Sequence, residues 1–384
     1  MGLTGRRLWW AALPLALVLV LGGGALAVGR WLTPAAPAAP PLAARPPVVV
    51  TLADVHTIAG TPPVLPWPAT GQATVEVAGL GSLGSSGAVR PVPIASVAKV
   101  MTAYLVLRDH PLRPADDGPA LTVSAQEAAA YATEAAGRQS LVRVAAGEVL
   151  TERQALEALL LPSADNIARL LARWDAGDPA TFVAAMNAQA AALGMADTRY
   201  TDPSGLDRAT VSTAPDQLRL AERALTVPAF AQLVALPEAT IPVAGVIRNY
   251  NTLLGQDGII GIKTGSTNAA GGCLLFAARL ERDGQVVTIV GAVLGQAAPT
   301  AQLLPTVLAA AQRLVEAAET AIQRYVVVPA GTTVAWVRGR PLVTVRDLTV
   351  TGWPGLTVHP RVRVTATGGT VDIPGATSTP VRAG

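Results

Sequence analysis

Hydrophobic and polar positions change period several times along this chain, and each change marks an expected element. From Leu8 to Gly29 runs a stretch of 22 uncharged, mostly apolar residues, preceded by Arg6 and Arg7. As a helix rising 1.5 Å per residue it would reach about 33 Å, the thickness of a bilayer's hydrocarbon core. The paired arginines in front would hold the N-terminus inside and send the remainder out. Ala25-Leu26-Ala27 has the small-x-small form of a cleavage site, so residues 1–30 read as a signal peptide or an N-terminal membrane anchor. Its length favours the anchor. Residues 31–72 are rich in Pro and Ala and read as an extended linker.

The folded body is expected from Ala73, where the alternation in Thr74–Leu80 reads as an opening strand. Ser96–Arg108 has helical spacing, with Val97, Val100, Met101, Tyr104, Leu105 and Leu107 available for burial. Thr151–Arg173 gives two helical pieces broken at Pro162-Ser163-Ala164, and Thr181–Leu193 a third that ends at Gly194. Gly258–Lys263, Gly272–Leu280 and Gln285–Leu294 read as strands joined by short turns, and Thr300–Tyr325 as a long helix. This order predicts an α/β (α+β) fold with helices packed on an antiparallel sheet. Past Val326 the chain alternates and is broken by Pro and Gly, which predicts a small all-β domain at 326–370 and a flexible tail at 371–384.

Composition removes several function classes. The net charge is +3 over 384 residues with no Lys/Arg cluster, which argues against nucleic acid as a partner. A single cysteine, Cys273, excludes an intramolecular disulfide framework and a cysteine-rich zinc site. The three histidines, His56, His110 and His359, are scattered, so no metal centre is expected. One count is more informative. Of the 29 basic residues only Lys99 and Lys263 are lysine. Arginine is always protonated, whereas lysine can lose its proton when buried or crowded by cations.

Both lysines sit in chemically suggestive surroundings. In Ser96-Val97-Ala98-Lys99 the i, i+3 spacing puts hydroxyl and amine on one helix face. A serine is a poor nucleophile until a neighbouring base takes its proton, and a lysine of lowered pKa can be that base. The helix N-terminus adds backbone N–H groups where an oxyanion would form. Lys263-Thr264-Gly265 ends a strand, where a cation, a hydroxyl and a residue without a side chain suit an anionic ligand. Each motif alone is weak. The bland readings are an N-cap with a solvated lysine and a strand-to-turn sequence.

Together, in order, SVAK at Ser96, PSADN at Ser163 and KTG at Lys263 resemble the triplet of penicillin-binding enzymes and serine β-lactamases. The surrounding stretches ASVAKVMTAYLVL, AGEVLTERQALEALLLPSADNIA and NYNTLLGQDGIIGIKTGSTNAAGGCLLFAA, with FVAAMNAQAAALGMADTRYTDPSGLD between the last two, are similar to the low-molecular-weight serine D-alanyl-D-alanine carboxypeptidases. The resemblance implies a DD-peptidase/β-lactamase-like catalytic domain at 73–325 with a helical subdomain. It implies Ser96 as acylated nucleophile, Lys99 as its base and Ser163 as proton relay. Lys263 and Thr264 would hold the substrate carboxylate, and the N–H groups of Ser96 and Ser266 would form the oxyanion hole beside Gly265. The implied substrate is the peptidoglycan stem peptide, with β-lactams as inhibitors and no metal or organic cofactor. The setting is extracytoplasmic, membrane-anchored or secreted to the cell wall.

One position departs from the pattern. The middle motif is usually Ser-x-Asn, and here its third residue is Asp165, followed by Asn166. An ionised aspartate only accepts, so Asp165 is expected to pair with Lys99 or Lys263. Asp202-Pro203-Ser204-Gly205-Leu206 reads as a turn framing the site, Gly84-Ser85-Ser86-Gly87 as a loop and Cys273 as a buried small hydrophobe. Asp165 and the extra β region leave a catalytically weak peptidoglycan-binding protein as the rival reading. A β-lactamase ranks lower, because no Glu-x-x-x-Asn arrangement lies between Ser163 and Lys263.

Overall fold

The computed structural model describes residues 48–137, 139–282, 284–365, 368–373 and 378–384. The apolar run at 8–29 and the first part of the linker lie outside them. Five antiparallel strands form the central sheet, in the order Ile259–Thr267, Gly271–Arg282, Gln285–Gln296, Gln72–Val77 and Gly81–Ser86. Its strands alternate between two faces, and each face has its own core. On Gly271–Arg282, Cys273, Leu275 and Ala277 join one cluster, while Leu274, Phe276, Ala278 and Leu280 join the other.

The first core is helical. It takes in Lys99–Asp109, Glu152–Leu160, Asp165–Ala176, Pro179–Ala192, Ala214–Leu225 and Pro228–Val234. Lys99–Asp109 is buried at every position from Lys99 to Leu107, as expected of a helix apolar on all sides. The second core holds one helix, Leu303–Ala321, against the other face of the sheet.

That second core continues without a break into the C-terminal β region. Val334, Leu342, Val350, Trp353 and Val381 share it with Val75, Ile289 and Leu314. A six-stranded sheet there is built from both ends of the chain: Val48–Val50, Thr333–Val337, Arg340–Thr344, Ser378–Ala383, Gly368–Asp372 and Arg361–Val364, in that order.

Three expectations are corrected here. The linker assigned to 31–72 contains the strands Val48–Val50 and His56–Thr57, which pair with the β region, so order begins well before Ala73. The tail assigned to 371–384 supplies Ser378–Ala383, a strand lying between two others. In both places Pro and Gly hid short strands whose partners are distant in sequence. Finally, Gly84, Ser85 and Ser86 lie in a strand rather than a loop, with Ser85 opposite Thr74.

Candidate active site

The site is assembled on a tight turn. Ala95–Ala98 forms one 3-10 turn that runs into Lys99–Asp109, so Ser96 sits just before the helix that carries Lys99. Two glycines clamp that turn. A Cβ on Gly205, whose φ is +79°, would fall 1.8 Å from the carbonyl oxygen of Ala95. A Cβ on Gly265 would stand 3.0 Å from the backbone nitrogens of Ser96 and Val97. Gly205 therefore needs a residue without a side chain, and at Gly265 a methyl would press on the turn unless it gave by a few tenths of an ångström. Ala95 itself takes φ +47°, a conformation sparsely populated by side-chain-bearing residues.

Lys99 is fully buried and uses three donors. Its Nζ donates to Ser96 Oγ at 2.8 Å, to Asp165 Oδ1 at 2.6 Å and to the Ser204 carbonyl at 3.0 Å. The loop that presents Ser204 is held by Asp202, which accepts from Ser204 N, Leu206 N and Thr210 Oγ1. Thr102 ties the same loop to the helix through the Pro203 carbonyl at 2.6 Å. Burial pushes the Lys99 pKa down, and Asp165 opposes that shift.

Lys263 comes from the edge strand of the sheet and is 1% exposed. Strand alternation puts it on the same face as Gly265, the face turned to Ser96. Its Nζ donates to the Thr264 carbonyl at 2.9 Å. Burial, and then the charge of Lys99, hold its pKa well below the ordinary lysine range. Thr264 is buried, Ser266 is half-buried, and the strand's outer edge is unpaired within its sheet.

The middle motif is also at the site. Ser163 has φ +64°, and its buried Oγ finds no hydrogen-bond partner among the described residues. Asp165 opens the next helix and is the motif residue that meets Lys99. Asn166 instead brackets Val142, donating to its carbonyl at 2.8 Å and accepting from its amide at 3.3 Å. The sequence reading did not assign Ser204 a contact with Lys99. A backbone carbonyl leaves no side-chain signal.

The remaining candidates fall elsewhere. Cys273 is buried and its thiol is pushed up to about 12 by that burial. His110 pairs with Asp175 at 3.1 Å. Among the described residues no group of three or more His, Cys, Asp or Glu is placed to hold a metal.

A buried lysine bridging a serine hydroxyl and an acid, opposite a second buried lysine on an edge strand, is a serine-acylation geometry. Residues 83–296 match the family model described as D-alanyl-D-alanine carboxypeptidase. The chain belongs to this family. It is 38% identical over 198 residues to a D-alanyl-D-alanine endopeptidase of Pseudomonas aeruginosa, spanning 50% of this chain and 61% of that relative. With a D-alanyl-D-alanine carboxypeptidase of Mycobacterium tuberculosis it shares 36% over 215 residues, 54% of this chain and 69% of the relative. The Streptomyces K15 DD-transpeptidase superposes with a TM-score of 0.58 at 26% identity, over 67% of this chain and 98% of that one. Penicillin-binding protein D2 of Listeria monocytogenes, solved in its ampicillin-bound form, superposes at 0.52 with 27% identity, covering 64% and 96%. These neighbours give the chain its penicillin-binding, β-lactamase-like fold.

Proposed function

We propose that the chain is a penicillin-sensitive serine D-Ala-D-Ala carboxypeptidase acting on peptidoglycan stem peptides. The observation that carries this reading is the 2.8 Å hydrogen bond from the fully buried Lys99 Nζ to the Oγ of the half-buried Ser96. Lys99, desolvated by burial, gives up its proton and takes the Ser96 proton as Oγ attacks the penultimate D-Ala carbonyl. Backbone N–H groups of Ser96 and Ser266 receive the oxyanion. Ser163 passes the proton to the amine of the departing D-Ala, and Lys263 with Thr264 holds that residue's carboxylate. Water then attacks the acyl-Ser96 ester and releases the shortened peptide. The unpaired edge of Ile259–Thr267 offers backbone groups along which an extended peptide can lie.

Residues 8–29 are proposed to hold the protein at the outer side of a membrane, where the substrate is found. Among the described residues no helix is long and apolar enough to cross one, so that role falls to the run before Arg30.

Asp165 supports a second feature of this reading. At 2.6 Å it stabilises the charged form of Lys99, which has to be neutral to act as base. Turnover near neutral pH is therefore expected to be slow. Release of free D-Ala from a pentapeptide, rising with pH and absent in Ser96→Ala, tests the proposal. Penicillin acylation with no D-Ala released at any pH would favour the peptidoglycan-binding alternative.

A further inference from the structure

The strand that carries Lys263 runs on past the reactive serine, through Ser266 to Thr267, and its partner strand returns from Gly271. The turn between them, residues 268–270, is one wall of a cavity of about 600 Å³ at the end of the central sheet. Residues 90–93, which lead through Ile94 and Ala95 to Ser96, form a second wall, and the chain just past Gly295 forms a third. The two segments that frame Ser96 therefore also frame this cavity. Its chemistry is one-sided. Arg90 is the single charged residue in the lining, with no Asp or Glu among the others. Its guanidinium is exposed and has no hydrogen-bond or ion-pair partner among the described residues. Its backbone is fixed, because Gln72 Nε2 donates to the Arg90 carbonyl at 2.8 Å. Asn268 Oδ1 accepts from Thr300 Oγ1 at 2.9 Å, which ties two walls together and leaves the Asn268 Nδ2 donors without a partner among the described residues. A braced cavity with a permanent cation, a spare amide donor and no acid suits a carboxylate.

Strand geometry decides which part of a substrate meets this cavity, and the direction rests on the carboxypeptidase reading above. There the terminal carboxylate lies at Lys263 and Thr264 and the scissile carbonyl at the Ser266 N–H. A peptide laid on this edge thus runs antiparallel to the strand, and at about 3.4 Å per residue its preceding residues pass Thr267 toward Asn268. With the penultimate D-Ala opposite Ser266, the third residue of the stem peptide comes level with the turn that walls the cavity. We propose that the cavity is a subsite for a carboxylate borne on the side chain of that third residue, with Arg90 as its recognition group and Asn268 as a second donor. A diaminopimelate side chain, which ends in a carboxylate as well as an ammonium, meets this requirement. A lysine side chain ends in an ammonium alone, which Arg90 repels. Arg90 is then a specificity-determining residue: it selects the acyl part of the substrate and takes no part in the bond cleavage.

Residues 46–384 form one compact unit that contains both the cavity and Ser96. Calorimetric titration of that unit carrying Ser96→Ala, which has lost the attacking hydroxyl, compares two stem pentapeptides that differ only at the third residue. The diaminopimelate peptide should bind about tenfold more tightly than the lysine peptide, the effect of one charge-assisted contact. Adding Arg90→Gln should bring the two peptides to within about twofold of each other by weakening the first, whereas Arg90→Lys should keep most of the difference. Equal affinity for both peptides in the Arg90 protein would overturn the proposal, and so would binding of neither. A loss shared equally by both peptides in Arg90→Gln would do the same, as would inorganic phosphate bound as tightly as the diaminopimelate peptide. Penicillin labelling of the unit with Ser96 intact separates the two readings. Labelling without a preference between the peptides rejects only the subsite, and a preference without labelling rejects only the acylating serine.

Discussion

Cations are used in two opposite ways in this molecule, and the contrast explains why one kind is lysine and the other arginine. In the cleft Lys99 and Lys263 are 0% and 1% exposed, and burial makes their charge conditional. On the six-stranded sheet, arginines such as Arg338, Arg340, Arg361 and Arg382 stand in solvent with charges that nothing at ordinary pH removes. A titratable group suits proton transfer and a permanent one suits electrostatic attraction. A chain that otherwise uses arginine throughout keeps lysine at the two buried positions of the cleft, and at one of them, Lys99, the proposed reaction needs the proton to move.

The sharpest way to break that comparison is to put a permanent charge in the cleft. Lys99→Arg cannot deprotonate, so acylation by penicillin should fall at least about 10³-fold, read as the rate of covalent labelling on a protein shown folded by its melting transition. Retention of half the wild-type rate would remove Lys99 from the base role. Next in size is Gly205→Ala. The added methyl meets the Ala95 carbonyl in a backbone conformation that alanine resists, and should cost about 2–4 kcal/mol in denaturant unfolding while slowing labelling. An unperturbed melting transition would show that the clamp on the serine turn yields freely.

The same desolvation that lowers a lysine pKa has to raise that of a carboxylate, and Glu152 in the helical layer is the test. It is fully buried, neither carboxylate oxygen has a hydrogen-bond partner among the described residues, and its pKa is pushed up to about 7 by burial and then by Asp175. Between the ordinary carboxylate value and that figure the folded protein binds the extra proton, so stability falls as pH rises through this window. Glu152→Gln should match the parent at pH 4 and exceed it by about 2 kcal/mol at pH 8. Equal stability at both values would show that the site is hydrated. The smallest expected effect is at Asp165. Asp165→Asn removes the group that favours charged Lys99, so the acid limb of the labelling profile should move to lower pH. A shift to higher pH would contradict the pairing's role.

The cleft was far more legible in the sequence than the β region, for physical reasons. Ser96 and Lys99 are three residues apart on one turn, and Lys263 follows an apolar run, so local spacing was enough to place them, although the strand expected to end at Lys263 continues to Thr267. The departure at Asp165 predicted a lysine partner, and the structure pairs it with Lys99. The β region depends on pairings between the two ends of the chain. Val49 meets Trp336 across nearly three hundred residues, and no local pattern encodes that partner. The helix Ala125–Ala136 was missed although Ser124 and Glu127 form a capping box there, because an alanine-rich helix with no buried residue shows little periodicity. Ala214–Leu225 was missed behind the proline at its second position, which starts that helix instead of breaking it.

The most direct test is intact-mass measurement of residues 46–384 after exposure to a fluorescent penicillin, beside Ser96→Ala. The account predicts one stable adduct in the parent, mapped to the peptide containing Ser96, and none in the substituted protein. A folded parent that takes up no label, or an equal adduct in Ser96→Ala, would contradict it.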